Sequence, residues 1–141
     1  MIKSVLTVDD SEADQLLTRM AIESYDPDIK ILQAYDGREA LDVLAAEASP
    51  PDAILLDIDH SPTEFLTPSN AGFYTTENLA RMADQLKPKG VFAMWSQNPP
   101  EENFEALLKT VFETVDSHLV SFPNPFQGKD STNSVYVCIK K

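Results

Sequence analysis

The sequence is poor in cysteine and in positive charge. A single cysteine, Cys138, excludes an internal disulfide and a metal site built from several cysteines. Lys and Arg number 11 against 23 Asp and Glu, which gives a formal net charge of −12. Because binding to a nucleic-acid backbone or an anionic membrane requires a basic surface, we expect neither of these partners.

Long apolar segments are also missing. No run approaches the roughly 20 residues of a membrane-spanning helix, and the first ten residues lack the apolar core and cleavage site of a signal peptide. With 43% hydrophobic and 24% charged residues, the composition is typical of a soluble globular protein. We therefore expect a cytoplasmic protein of one α/β domain, residues 1–141, that is a monomer or a weak homodimer without a specific partner.

The charge is unevenly distributed along the chain. Residues 1–59 contain 14 acids and 4 bases, a net of −10, whereas residues 60–141 contain 9 acids and 7 bases, a net of −2. Such a change in composition often separates two domains. Each part is too small to close a core of its own, so we interpret them as two halves of one sheet.

An apolar run, Ala53–Leu56, lies between two prolines and Asp57. A short apolar run bounded by a turn signal predicts a strand that is buried on both faces of a parallel sheet. Asp57 then lies at the carboxyl end of that strand. In open α/β sheets, ligands bind outside this edge.

Strands and helices alternate on either side of this run. Up to residue 57 the pattern is strand, helix, strand, helix, strand, which predicts a doubly wound parallel sheet. In the first helix, residues at three- and four-residue steps form an apolar face: Ala13, Leu16, Leu17, Met20 and Ala21. The last two strands, 118–122 and 134–139, are about a dozen residues apart without helical periodicity, so we predict that they are antiparallel.

Residues 1–58 resemble the receiver domain of two-component response regulators. The matching segments are Asp9-Asp10-Ser11 after the first strand, residues 36–41 at the start of the second helix, and residues 51–57. The resemblance implies that Asp9, Asp10 and Asp57 hold Mg²⁺ and that Asp57 accepts a phosphoryl group, with Ser96 in a supporting position.

Elementary electrostatics supports the same arrangement. The first and third strands are neighbours in this topology, so their terminal carboxylates converge, and Mg²⁺ prefers oxygen ligands. Without a cation, the like charges raise each other's pKa. The alternative is that these acids only cap strand ends and a helix.

Residues 53–141 resemble the C-terminal half of spermidine-synthase-like methyltransferases, which have a Rossmann-type fold. The matching segments are residues 56–62, Asn70 with residues 73–75, residues 86–96, residues 122–125 and residues 134–137. This resemblance implies that the last strand inserts antiparallel between its two predecessors. The predicted fold is thus a mostly parallel six-stranded sheet of order 2-1-3-4-6-5, with a flavodoxin-like half joined to a Rossmann half.

Each half lacks residues that its resemblance requires. No glycine follows the first strand, where Asp9-Asp10-Ser11 is acidic and unsuited to the carboxylate of a nucleoside cofactor. No lysine matches the one that receivers place at the end of the fifth strand. His60 and His118 are isolated, so a hydrolase triad has no support.

These absences lead to a prediction about function. We expect an engineered chimeric scaffold with no dedicated catalytic activity and no required cofactor. The first alternative is residual receiver-type Mg²⁺ binding with Asp57 as the phosphoacceptor. The second alternative is an S-adenosylmethionine-type methyltransferase or an aminopropyltransferase.

Overall fold

The computed structural model describes residues 2–57 and 74–141. Its elements are β1 (Ser4–Asp9), α1 (Glu12–Tyr25), β2 (Lys30–Ala34), α2 (Gly37–Ala46), β3 (Ala53–Asp57), α3 (Thr76–Asp84), β4 (Val91–Ser96), α4 (Glu102–Val111), β5 (Thr114–Asn124) and β6 (Lys129–Ile139). His60, Asn70 and most of the long connection expected after Asp57 lie outside the described residues. Within the described ranges, no helix is long and apolar enough to cross a membrane.

The six strands form one sheet in the order β2-β1-β3-β4-β6-β5. Strands β1 to β4 are parallel to one another, and β6 is antiparallel to both β4 and β5. The predicted α/β fold, strand order and antiparallel sixth strand are therefore confirmed. Strands β5 and β6 are longer than predicted, because their pairing continues from Thr114 opposite Ile139 to Asn124 opposite Lys129.

Side-chain caps fix the starts of three helices. The Ser11 hydroxyl accepts a hydrogen bond from the Asp14 N–H (3.2 Å) at the start of α1, and the Asp36 carboxylate accepts one from the Glu39 N–H (2.7 Å) at α2. At α3, the Thr75 hydroxyl accepts from the Asn78 N–H (3.3 Å). Such caps satisfy N–H groups that have no partner inside the helix.

The two faces of the sheet are covered unequally. Helices α2, α3 and α4 pack on the face that carries the even-numbered side chains of β1, β3, β4 and β6, and this even face holds the main core. Its largest buried side chains include Leu6, Ile54, Phe92, Met94 and Tyr136. Helix α1 packs on the opposite, odd face, where a smaller cluster surrounds Val5, Ile29 and Ala53.

Helix α1 is rotated away from the orientation that its apolar periodicity predicts. The predicted inner residues Leu16, Leu17 and Met20 are exposed, whereas Gln15 is buried. The Gln15 amide donates to the carbonyls of Asp9 (3.1 Å) and Ala34 (2.8 Å), which lie at the ends of β1 and β2. Satisfying these buried carbonyls decides which side of the helix faces the sheet.

Candidate functional site

The carboxyl ends of β1 and β3 form the switch point of the sheet. From β1 the chain goes to β2 on one side, and it later enters β3 on the other side of β1. Asp9 and Asp57, the last residues of these strands, lie directly opposite each other in the β1–β3 register. Crevices at such switch points are where open α/β sheets bind ligands.

Three carboxylates meet at this edge. Oxygen atoms of Asp9, Asp14 and Asp57 all lie within 4.8 Å of one another. Asp9 is buried, Asp57 is half-buried and Asp14 is exposed. Asp10, predicted from the sequence as a metal ligand, is exposed and lies outside this group. Asp14 takes its place because the first turn of α1 begins directly above the end of β1.

Burial and like charge make these acids difficult to ionise. Burial raises the pKa of Asp57 to about 7, and the charges of Asp9, Asp14 and Asp10 add to the shift. Burial also raises the pKa of Asp9 to about 6, although the Ser11 N–H donates to its carboxylate (3.0 Å) and opposes that effect. Among residues 2–57 and 74–141, none of the four salt bridges includes Asp9, Asp14 or Asp57.

A cavity of about 240 Å³ opens beside the carboxylates on the odd face. Asp9, Asp57 and the hydroxyls of Thr7 and Thr18 form its polar part. Its apolar part is formed by Leu55, Ala93, Trp95 and Val135, among others. Negative charge and an aromatic ring in one cavity suit a ligand that has a cationic or hydroxyl-bearing part and a flat apolar part.

Ser96 is not part of this arrangement. It is fully buried at the end of β4, on the even face of the sheet, whereas Asp57 lies on the odd face. Its hydroxyl accepts a hydrogen bond from the Asn98 N–H (3.3 Å). Lys140 lies at the opposite edge of the sheet, where its ammonium donates to the Leu86 carbonyl (2.7 Å), so it cannot act as the counterion of Asp57.

Sequence reasoning missed two members of the site, Asp14 and Trp95. Asp14 was visible as an acid in the first turn of a helix that follows an acidic strand end. Trp95 was visible only as an apolar strand residue. The β3–β4 register, which pairs Leu56 with Met94, is what brings its ring to the odd face beside Asp57.

Comparison with known proteins assigns the fold but not a family. No protein-family model matches the sequence, and the search of curated proteins gave no match. Solved structures do match over the whole chain. Human methyltransferase-like protein 13, solved in complex with SAH, is 18% identical with a TM-score of 0.64, and the match covers 100% of this chain and 73% of that one. The chain has the methyltransferase-type Rossmann fold.

Two further structures agree with this assignment. A SAM-dependent methyltransferase from Archaeoglobus fulgidus is 10% identical, with a TM-score of 0.62 over 99% of this chain and 86% of that one. A probable spermidine synthase from Corynebacterium glutamicum is 19% identical, with a TM-score of 0.51 over 97% of this chain. The present chain spans only 56% of that synthase.

These likenesses correct the functional prediction. The expected scaffold with no dedicated catalytic activity and no required cofactor is contradicted, because the whole chain has the fold of S-adenosylmethionine-dependent methyltransferases. The match extends through residues 1–58, so a receiver half, a chimeric origin and an engineered origin gain no support. The methyltransferase resemblance of the second half is confirmed at the level of the fold.

Proposed function

We propose that this chain is a methyltransferase-type protein that binds S-adenosylmethionine at the carboxyl edge between β1 and β3. The observation that carries the proposal is the agreement of the whole fold with a methyltransferase solved in complex with SAH. The switch point of the sheet and the cavity beside Asp9 and Asp57 support this location.

The adenosyl and sulfonium parts of this cofactor suit the residues present. Carboxylates of Asp9, Asp14 and Asp57 can accept hydrogen bonds from ribose hydroxyls or an ammonium group, and their charge favours a sulfonium cation. The ring of Trp95 offers the cavity an aromatic surface for a purine. The bound cofactor would supply an electrophilic methyl group.

The carboxylate of the cofactor finds no equivalent anchor among these residues. At the start of α1, the Ser11 and Asp14 N–H groups already donate to Asp9 and Ser11. Residues 9–14 include no glycine, and four of these six residues are acids. The site therefore fits the nucleoside end better than the amino-acid end.

Asp57 is the residue best placed to move a proton. With a pKa raised to about 7, its carboxylate is partly protonated near neutral pH. A general base works best when its pKa lies near the operating pH. We assign its carboxylate oxygen the role of accepting a proton from the methyl acceptor.

Isothermal titration calorimetry with three ligands tests the proposal. S-adenosylmethionine should bind about tenfold more tightly than SAH, because only the former carries the sulfonium charge. Methylthioadenosine, which lacks the amino-acid end, should bind at least as well as SAH. Asp57→Asn should weaken S-adenosylmethionine binding, whereas Asp116→Asn, which removes the same charge from an exposed position in β5, should not.

Absence of binding would contradict the proposal. If none of the three ligands releases or absorbs heat at millimolar concentration with a folded protein, this chain does not use the site in this way. If S-adenosylmethionine binds, an assay that follows a labelled methyl group from this cofactor to small acceptors separates binding from catalysis.

A second candidate function is the binding of a divalent cation such as Mg²⁺. The observation that favours it is the convergence of three carboxylate oxygens within 4.8 Å, where burial and, to a smaller extent, neighbouring negative charges raise the pKa values of Asp9 and Asp57. A cation would relieve that repulsion, and oxygen ligands of this kind suit Mg²⁺. Phosphoryl acceptance by Asp57 stays a prediction within this candidate.

Amide NMR during a Mg²⁺ titration tests this candidate. Shifts should cluster at the ends of β1 and β3, and saturation at about 100 times the dissociation constant should add about 2.7 kcal/mol to the free energy of unfolding. Asp14→Asn should weaken binding and Asp10→Asn should change it little, which is the opposite of what the sequence pattern implied. Further shifts with beryllofluoride would support phosphoryl acceptance, and a silent spectrum would exclude the cation site.

A further inference from the structure

Two apolar surfaces on the odd side of the molecule have no partner among the described residues. The first, called the sheet patch, consists of half-buried side chains on β4 and β6: Ala93, Trp95, Val135, Val137 and Ile139. Helix α1 is the only described helix on this side, and it packs over β1, where Gln15 meets Thr7. The patch is therefore uncovered within residues 2–57 and 74–141.

The second surface, called the α1 stripe, consists of the outward residues of α1: Ala13, Leu16, Leu17, Met20 and Ala21. Leu16, Leu17 and Met20 are 57%, 63% and 56% exposed. These residues recur at three- and four-residue steps and form one continuous apolar face of the helix. Contiguous apolar surface of this kind on a soluble domain marks an interaction site.

We propose that the occupant of both surfaces is a second copy of this chain. In the order β2-β1-β3-β4-β6-β5, the centre of the sheet lies between β3 and β4. Consider a two-fold axis that runs parallel to the strands and lies above this centre on the odd side. This axis places β1 of one copy opposite β6 of the other. The α1 stripe of each copy then lies on the sheet patch of the other.

Symmetry makes this occupant specific. A two-fold interface requires one surface that is complementary to itself. Here the projecting stripe and the open patch lie on the same face, at equal distances from the centre of the sheet. Each copy covers what the other leaves open, and neither needs to change its fold. Because Ala93, Trp95 and Val135 also line the cavity beside Asp57, dimerisation and cofactor binding compete for this surface.

The areas involved suit a weak dimer. A helix of 14 residues is about 21 Å long and about 10 Å wide, so its outward side covers roughly 200 Å². Two or three strands about 4.8 Å apart and about 20 Å long offer roughly 200 to 300 Å² more. The two copies together would bury on the order of 1,000 Å², at the low end of specific interfaces, which predicts micromolar affinity.

The net charge opposes this association. Each copy carries −12, so the dimer brings together two strongly acidic molecules. Salt screens such repulsion, so dimerisation should become stronger as ionic strength rises. A basic partner helix bound to the acidic surroundings of the stripe would show the opposite dependence.

Sedimentation equilibrium of the whole chain tests the proposal. The wild-type protein should be a concentration-dependent dimer in the micromolar range, and Leu17→Glu should weaken it at least 100-fold, because two charges are buried for each dimer. The matched control is Leu119→Glu. Leu119 is 59% exposed on β5 but faces the even side, so this variant should dimerise like the wild type.

Fluorescence of the single tryptophan gives a second readout. Trp95 lies in the sheet patch, so its emission should shift to shorter wavelength as the wild-type concentration rises, and Leu17→Glu should abolish that shift. Equal melting temperatures of the two Glu variants would show that both are folded. A wild-type protein that is monomeric throughout, an equal effect of both variants, or dimerisation that salt weakens would each overturn the proposal.

Discussion

The two ends of β3 each carry an aspartate, and their surroundings are opposite. Asp52, just before the strand, accepts hydrogen bonds from the N–H groups of Lys3 (2.8 Å) and Ser4 (3.0 Å). The Lys87 ammonium lies 3.1 Å from its other oxygen. Burial would raise the pKa of Asp52, but these donors outweigh it and hold the pKa below its ordinary value.

Asp57, five residues later, has the reverse environment. Burial raises its pKa to about 7, and the neighbouring charges of Asp9, Asp14 and Asp10 add to the shift. A carboxylate whose charge is fully paired stabilises the fold. A half-buried carboxylate among like charges costs stability, and such groups are found mostly at functional sites. The comparison thus indicates a structural role for the amino edge of β3 and supports the ligand-binding role that we propose for its carboxyl edge.

Removing the structural aspartate should have the largest effect. Asp52→Ala leaves the N–H groups of Lys3 and Ser4 and the ammonium of Lys87 without their acceptor, so the free energy of unfolding should fall by about 3 kcal/mol. Urea denaturation measures this loss. Asp52→Asn, which keeps one acceptor oxygen, should recover part of it, and two equally unstable variants would show that packing matters more than these bonds.

Removing the charge of Asp57 should instead raise the free energy of unfolding. Asp57→Asn keeps the volume and abolishes the repulsion with Asp9 and Asp14, so the metal-free protein should become more stable near pH 8. The expected gain is about 2 kcal/mol, which is about half of the upper limit for a pKa shift of three units. Thermal melting in a chelator checks this. Asp116→Asn on the exposed part of β5 should change stability by less than about 0.5 kcal/mol, and an unchanged or lower melting temperature for Asp57→Asn would contradict the interpretation.

The dependence of stability on pH should also distinguish the two edges. The pKa values of Asp9 and Asp57 are raised from 3.8 to about 6 and about 7. Between pH 4 and 7 the folded protein therefore binds more protons than the unfolded chain, and stability should fall as pH rises. For each group the slope is at most about 1.4 kcal/mol per pH unit.

Asp52 contributes in the opposite direction and in a lower range. Its pKa is lowered on folding, so its contribution is lost as pH falls below about 4. Urea denaturation at closely spaced pH values should consequently place maximum stability near pH 4 to 5. Asp57→Asn should reduce the decline above that maximum, and a steady rise in stability up to neutral pH would contradict the assignment of the carboxyl edge.

Local signals in the sequence were sufficient for most of the fold. The apolar run at residues 53–56 predicts a central strand, and Ser11, Asp36 and Thr75 begin helices because their side chains accept from free N–H groups. The short connection before β6 requires an antiparallel strand, since a parallel crossover is longer. These rules depend on near neighbours only, so they need no knowledge of the rest of the molecule.

Function was harder to infer because two fold families share the arrangement of β1, β2 and β3. Motifs around Asp9, Asp10 and Asp57 favoured a receiver, whereas the complete strand order agrees with methyltransferases. A fold shared in part by two families does not decide the chemistry of its site. Only the complete strand order, with β6 between β4 and β5, distinguishes the two.

The sequence by itself determined the sheet, its helix starts and the position of acids at the ends of β1 and β3. The tertiary structure alone decided which side chains meet there. Pairing across the pleated sheet directs Ser96 away from Asp57 and Trp95 toward it. The hydrogen bonds of Gln15 to strand ends decide the rotation of α1, which brings Asp14 to the site and turns Leu17 outward. Register and rotation depend on contacts between distant residues, which the periodicity of a single helix or strand does not contain.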